Sequence, residues 1–215
     1  MDTAIFFRVW RFIRIPLGII LIFFIGLVIY RMPVVIEKQK TEEAVLRIHA
    51  QKITLDDVMG TKLPPEPNRE LNDSTIEGID ANQNGIRDDV ELAIFKLYPD
   101  SARIRAAELQ YAMALEMEMM SNVFNSKTLV AVLQEKSRAS LCVTNTGLKV
   151  SLADNNETIN KAFAITDARK LEVENLVFNT DERRSKRQEI REKYMTSYGD
   201  IVGPECDINP TSLPN

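Results

Sequence analysis

An uncharged apolar segment near the N-terminus constrains this chain more than any other feature. Residues 15–30 read IPLGIILIFFIGLVIY, sixteen residues without a charged side chain. As a helix they would extend about 24 Å, slightly less than the roughly 30 Å hydrocarbon core of a bilayer. Arg14 and Arg31 bracket the segment, and their aliphatic stems can lengthen its apolar surface. We therefore predict a transmembrane helix over residues 15–32.

Two other interpretations of this segment stay open, a cleaved secretory signal and a buried core helix. A secretory signal has small residues at its cleavage site, whereas residues 27–33 read LVIYRMP. A core helix that is apolar on every face for four turns is rare outside membranes. The sequence favours an uncleaved signal anchor.

The charges on either side of the apolar segment predict its orientation. Arg8, Arg11 and Arg14 precede it and only Asp2 opposes them, so the positive-inside rule places residues 1–14 in the cytoplasm. The rest of the chain then lies outside, which at the inner membrane of a bacterial cell is the periplasm. Of the 27 basic and 31 acidic residues in the chain, 23 basic and 30 acidic ones follow residue 31. This acidic balance argues against a nucleic-acid partner, because phosphate would be repelled.

Beyond the anchor, the sequence predicts a mainly α protein, with an all-helical extracytoplasmic bundle that contains one calcium-loop-helix unit. Residues 33–79 are expected to form a stalk and a Pro-rich connector, and residues 80–215 the helical domain. Helices are predicted at about 87–98, from Asp100 or Ser101 to 123, and at 127–141, 157–165, 168–178 and 180–198, with a loop or brief strand at 145–154. The mixed charges of the last helix indicate a solvated face, with docking of an acidic partner as the alternative.

One helical stripe consists of Leu109, Met113, Met117, Met120 and Phe124, at spacings of four, four, three and four residues. Core packing is the favoured interpretation, since methionine fills irregular gaps, and a ligand-binding surface is the alternative.

The loop at residues 80–91, DANQNGIRDDVE, is the one segment that points to a specific chemistry. Side chains with oxygen donors stand at its positions 1, 3, 5, 9 and 12, and glycine stands at position 6. This pattern resembles the twelve-residue calcium loop of EF-hand proteins, and more closely the related loops of dockerins and thrombospondin type 3 repeats. The resemblance covers only these twelve residues, so it implies a site and not membership of a whole-protein family.

Calcium takes six to eight oxygen ligands, which the loop can supply from mixed donors. The predicted ligands are Asp80, Asn82, Asn84, the carbonyl of Ile86, Asp88 (directly or through water) and Glu91. Two features depart from paired EF-hands: position 8 is an arginine instead of an aliphatic residue, and no helix is predicted to lead into the loop. Asparagine at positions 3 and 5 removes two negative charges, so we expect weak affinity, with a Kd on the order of 10⁻⁴ to 10⁻³ M. The alternative is a turn that merely caps the following helix.

The two cysteines, Cys142 and Cys206, have no metal-site spacing. They can form one disulfide if the domain lies in an oxidising compartment, and two unpaired thiols are the alternative. The single histidine, His49, has no metal or nucleophile partner in the sequence, and no G-x-S-x-G, H-E-x-x-H, P-loop or C-x-x-C motif occurs.

Two classes of function remain. The first is a membrane-tethered interaction or scaffold module of the bacterial envelope, with structural calcium and a partner protein that the sequence does not name. The second is a periplasmic enzyme or lytic factor with unrecognised catalytic carboxylates, which would need two acidic residues of unequal pKa in a cleft. The missing catalytic motifs favour the first class, and enzymatic activity stays open as the alternative.

Overall fold

The computed structural model describes residues 3–147 and 155–214, and in these residues it contains helices and no strand, as the sequence predicts. The α-helices are α1 Thr3–Ala50, α2 Leu55–Met59, α3 Arg69–Asn72, α4 Asp88–Leu97, α5 Ala102–Met117, α6 Ser126–Asn145, α7 Asn156–Val177 and α8 Asp181–Tyr194. A short 3₁₀ helix follows at Pro210–Ser212. Part of the predicted loop at 145–154 lies outside the described residues.

The chain divides into two compact units, residues 1–43 and 44–215. The first unit is the larger part of α1, and its described apolar side chains from Leu17 to Ile36 are largely exposed. The predicted apolar helix is therefore confirmed, and its Pro16–Ala50 part is long and apolar enough to cross a membrane. Residues 44–79, which the sequence-based division assigned to the stalk and connector, lie within the second unit.

Helix α5 occupies the centre of the second unit. Every residue from Arg105 to Met117 is buried, and α5 packs most extensively against α6 and α7. Leu109, Met113 and Met117 are core residues, so core packing is the correct interpretation for this part of the methionine stripe. Met120 and Phe124 follow the end of α5 and are partly exposed. The helix ends at Met117, earlier than predicted, and a turn leads to Asn125, which caps α6.

Two further helix boundaries differ from the prediction. Residues 156–177 form one continuous helix in place of the two predicted helices. The Thr166 hydroxyl donates a 3.0 Å hydrogen bond to the carbonyl of Ala162, one turn earlier, and does not cap a new helix. Helix α8 ends at Tyr194, before Gly199, where the backbone of Met195 becomes extended.

The prediction of a solvated face was wrong for part of α8. Arg183 is fully buried, and its guanidinium donates to the carbonyls of Asn72, Thr75 and Ile76. Farther along α8, two more arginines form ion pairs with one buried carboxylate, Glu118. Three arginines of α8 therefore bind acceptors in other parts of the fold.

The C-terminal segment is held against the helices although it has little regular structure. The two cysteines form the expected pair, with Cys142 of α6 bonded to Cys206 at an S–S distance of 2.01 Å. Arg138 binds the carboxylates of Glu135 and Asp207, and Glu135 also accepts a 2.8 Å hydrogen bond from His49. His49 is therefore a partner in a buried network at the start of the second unit.

Candidate calcium-binding loop

The loop at residues 80–91 lies within the second unit, and its last four residues form the first turn of α4. No helix leads directly into it, because α3 ends at Asn72. Gln83 and Gly85 both have positive φ angles, of 58° and 84°, which produce the reversal expected in the middle of such a loop. This arrangement agrees with the predicted loop-helix unit.

The first three predicted ligands turn towards the backbone of their own loop. The Asp80 carboxylate accepts hydrogen bonds from the amides of Asn84, at 3.2 Å, and Gly85, at 2.8 Å. The Asn84 side-chain oxygen accepts from the amide of Ile86 at 2.9 Å. These bonds fix the conformation of the loop.

The last two predicted ligands are acids that the fold buries. Asp88 and Glu91 each have a relative exposure of 1%. One oxygen of each carboxylate is satisfied, Asp88 Oδ1 by the amide of Ala81 and Glu91 Oε2 by the side chain of Asn82. The other oxygen of each, Asp88 Oδ2 and Glu91 Oε1, is buried without a hydrogen-bond partner. A buried carboxylate oxygen without a partner is unfavourable, so this pair requires an explanation.

Burial also shifts the acid–base equilibria of these two groups. It raises the pKa of Glu91 to about 7, and the nearby charges of Asp57 and Asp88 add to the shift, whereas the Asn82 and Asn84 amides oppose it. Burial likewise raises the pKa of Asp88, with Asp80 contributing in the same direction. A divalent cation beside these carboxylates would remove the penalty for their charge.

One predicted ligand faces the site with the wrong atom. The side-chain nitrogen of Asn82 donates to Glu91 at 3.0 Å and to the carbonyl of Lys62 at 3.1 Å. A half-turn of this amide exchanges its oxygen and nitrogen, which are hard to distinguish by shape. Among the described residues, no three His, Cys, Asp or Glu side chains are grouped closely enough to hold a metal by themselves. The predicted set differs from such a group, because it mixes carboxylates with amide and main-chain oxygens.

Arg87, the unexpected residue at position 8 of the loop, anchors the site to the rest of the bundle. Its guanidinium is fully buried and binds both oxygens of Asp89, at 2.6 and 3.1 Å. It also donates to the carbonyls of Leu176 and Val177 at the end of α7. The main-chain amide of Arg87 donates to the carboxylate of Glu116 in α5. The loop is thus joined to two helices of the core.

Gly85 is needed at position 6 for two reasons. Its φ of 84° is unfavourable for residues with a side chain, and a Cβ there would lie 1.9 Å from the side-chain nitrogen of Gln51. The sequence pattern indicates the glycine but neither Gln51 nor the partners of Arg87. The arginine at position 8 was visible as a departure from EF-hands, whereas main-chain acceptors on a distant helix leave no sequence signal.

Helix α5 also carries two buried acids outside the loop. Glu108 and Glu116 of α5 have relative exposures of 0% and 2%. Glu108 binds Arg169 at 2.6 Å, and burial raises the pKa of Glu116 to about 8. Both carboxylates are enclosed in the packed interior, so neither is placed to meet a substrate.

The chain matches no known protein family, and comparison with curated proteins and with solved structures found no match either.

Proposed function

We propose that this protein is a membrane-tethered, extracytoplasmic helical module whose loop at residues 80–91 binds a structural calcium ion. In this proposal its role is to present a calcium-stabilised surface to a partner protein of the bacterial envelope. Asp80, Asn82, Asn84, the Ile86 carbonyl, Asp88 and Glu91 would hold the ion.

The partnerless oxygens of Asp88 and Glu91 are the observation that carries the proposal. Two carboxylates with 1% exposure lie at the start of α4, and each has one oxygen that no hydrogen bond satisfies. A turn that only caps a helix needs one acceptor and gives no reason to bury two charges. A calcium ion explains the arrangement, because it takes hard oxygen ligands and compensates their charge.

Three features support the proposed location. One apolar helix is long enough to span a bilayer, and arginines precede its apolar part. The cysteine pair Cys142–Cys206 suits an oxidising compartment. A calcium site of submillimolar to millimolar affinity would suit an extracellular or periplasmic domain, because extracellular modules use that range.

Calorimetric titration of the full-length protein in detergent micelles tests the calcium site. We expect one calcium ion to bind with a Kd on the order of 10⁻⁴ to 10⁻³ M, and magnesium to bind far more weakly. Calcium at a hundredfold excess over Kd should stabilise the fold by about 2.7 kcal/mol, which would appear as a higher unfolding temperature. Asp80→Ala and Glu91→Gln should each abolish the binding heat and the thermal shift.

Glu77→Gln is the matched control, because it makes the same chemical change at an exposed residue just before the loop. This variant should bind calcium like the natural protein. The calcium site would be refuted if the natural protein gave no heat at about 10 mM calcium, ten times the weaker expected Kd. Unchanged binding in Glu91→Gln would exclude the proposed ligand set.

A further inference from the structure

A second candidate site lies in the same unit, between the helices and the C-terminal segment. It is a cavity of about 840 Å³, a volume usual for pockets that bind small molecules. Arg103 in the first turn of α5 and Asn145 at the end of α6 line one part of it, and tail residues between Ile201 and Thr211 line the rest.

The tail wall of this cavity is held in place at several points. Cys206 is bonded to Cys142, and the carbonyl of Glu205 accepts a 2.9 Å hydrogen bond from Gln110. The carbonyl of Pro204 accepts a 2.7 Å bond from Arg138. These contacts form the cavity before any ligand arrives, which reduces the entropy lost on binding.

Arg103 differs from every other arginine that the second unit buries fully or in part. Within the described residues, the seven others all donate from the guanidinium to protein acceptors: Arg87, Arg105, Arg138, Arg169, Arg183, Arg187 and Arg191. The guanidinium of Arg103 has no such partner, and its Nε is buried with no acceptor. A buried donor on a charged group is unfavourable unless something satisfies it.

The surroundings of Arg103 indicate which anion would fit. A guanidinium binds carboxylates and phosphates through two parallel hydrogen bonds. The same cavity is lined by the acid Glu205, which would repel a doubly charged phosphate more than a singly charged carboxylate. Ile201 and Pro210 supply apolar contacts.

We propose that this cavity binds a small monocarboxylate, with its carboxylate on Arg103 and its apolar part against the tail. The proposal is independent of calcium, because none of the lining residues belongs to the loop at 80–91.

NMR observation of the arginine Nε–H signals in full-length protein tests this site. The probes are N-acetylalanine, its C-terminal amide, benzoate and inorganic phosphate. We expect at least one of the two carboxylates to bind in the millimolar range and to shift the Arg103 signal. The amide should bind at least about tenfold more weakly than N-acetylalanine if the latter binds, since it lacks the charge. Tighter binding of N-acetylalanine would indicate a peptide C-terminus, and tighter binding of benzoate a free organic acid.

Arg103→Gln should weaken carboxylate binding at least about tenfold. It should leave the unfolding temperature nearly unchanged, because the guanidinium has no internal partner to lose. Arg47→Gln is the control, since Arg47 is exposed and does not line the cavity, and it should bind like the natural protein. If Arg103→Gln fails to fold, Arg103→Lys keeps the charge but loses the paired hydrogen bonds, and it should bind more weakly. The proposal is overturned if neither carboxylate binds, if phosphate binds as tightly, or if binding survives in the Arg103 variants.

Discussion

Acids and arginines are buried in this protein under different electrostatic conditions. The three most deeply buried arginines, Arg87, Arg138 and Arg183, donate to carbonyls and carboxylates of the surrounding helices and loops. The acids of the loop can be neutralised, and burial raises the pKa of Glu91 to about 7. Because the charged form of Glu91 is the unfavourable one, the loop should be sensitive both to protons and to cations.

The calcium-free protein should therefore lose stability as the pH rises from about 5 to 8. The folded pKa of Glu91 lies above its unfolded value, so its contribution is full below pH 4.5 and is lost as the pH passes through about 7. We expect a loss of roughly 2 to 3 kcal/mol from this residue in chelator, measured by urea unfolding at several pH values. Saturating calcium should remove most of the loss.

Glu91→Gln provides the comparison, because it cannot ionise. Glu116, whose pKa burial raises to about 8, contributes its own pH dependence to both proteins and cancels from the difference. The variant should be less sensitive to pH than the natural protein in chelator. Equal pH dependence in the two proteins would show that Glu91 ionises as freely in the folded state as in the unfolded one.

The sequence predicted which residues of the loop lie close together, but it did not predict the contacts that anchor the loop to the helices. The spacing of the loop predicted that Asp80, Asp88 and Glu91 lie around one turn, and the structure brings them there. It did not predict the acceptors of Arg87, because two of them are main-chain carbonyls at the end of α7. Every residue carries such a carbonyl, so no residue type marks the contact.

Helix α8 is an element whose composition conceals how it packs. It mixes acidic and basic residues, a pattern usual for exposed helices, yet Arg183 is fully enclosed. That side chain holds the segment that leads into the loop at residues 80–91, through the carbonyls of Asn72, Thr75 and Ile76 and the carboxylate of Asp73. The next residue, Arg184, differs from Arg183 because about half of its side chain is exposed.

Replacing these two arginines should have very different effects. Arg183→Met leaves buried carbonyls without donors and Asp73 without its partner, so we expect a loss of about 3 to 5 kcal/mol in the free energy of unfolding. Arg184→Met removes an exposed ion pair with Asp181 and should change stability by less than about 1 kcal/mol. Urea unfolding of both variants is the measurement. Similar values for the two would mean that the Arg183 contacts contribute little.

Local signals predicted where helices begin better than where they end. Ser101 and Thr180 each cap a helix at a start that the sequence predicted. A cap is a contact between near neighbours, so residue type is enough to predict it. The early end of α5 coincides with Glu118, whose carboxylate pairs with residues of α6 and α8. Such contacts depend on the packed bundle, which a single sequence does not reveal.

At the scale of the whole molecule, stability depends in part on the disulfide, and disulfides form and persist in oxidising compartments. Cys142 and Cys206 are 64 residues apart, and their bond joins the C-terminal segment to α6. Closing a loop of this length stabilises a fold by about 4 kcal/mol in the chain-entropy model. We expect the Cys142→Ser/Cys206→Ser double variant to lose up to this amount in urea unfolding, with faster hydrogen exchange in residues 200–213.

The same bond reports on where the domain lies. In denatured membranes from cells, maleimide should label the natural protein only after reduction. Protein made without its apolar segment and kept in the cytoplasm should be labelled without reduction. Cys142→Ser, which leaves one thiol, is the positive control for labelling. Labelling of the unreduced natural protein would contradict an extracytoplasmic location.

The buried arginines have a consequence for how this fold would tolerate mutation over evolutionary time. Arg183 donates mainly to main-chain carbonyls and Arg87 donates to two of them, and such a carbonyl persists whatever side chain its residue carries. Each contact therefore requires its arginine, whereas the residues that supply the carbonyls can be substituted without losing the hydrogen bond. Distant descendants of this chain would keep a few isolated arginines in otherwise changed surroundings, and ordinary sequence similarity would overlook the kinship.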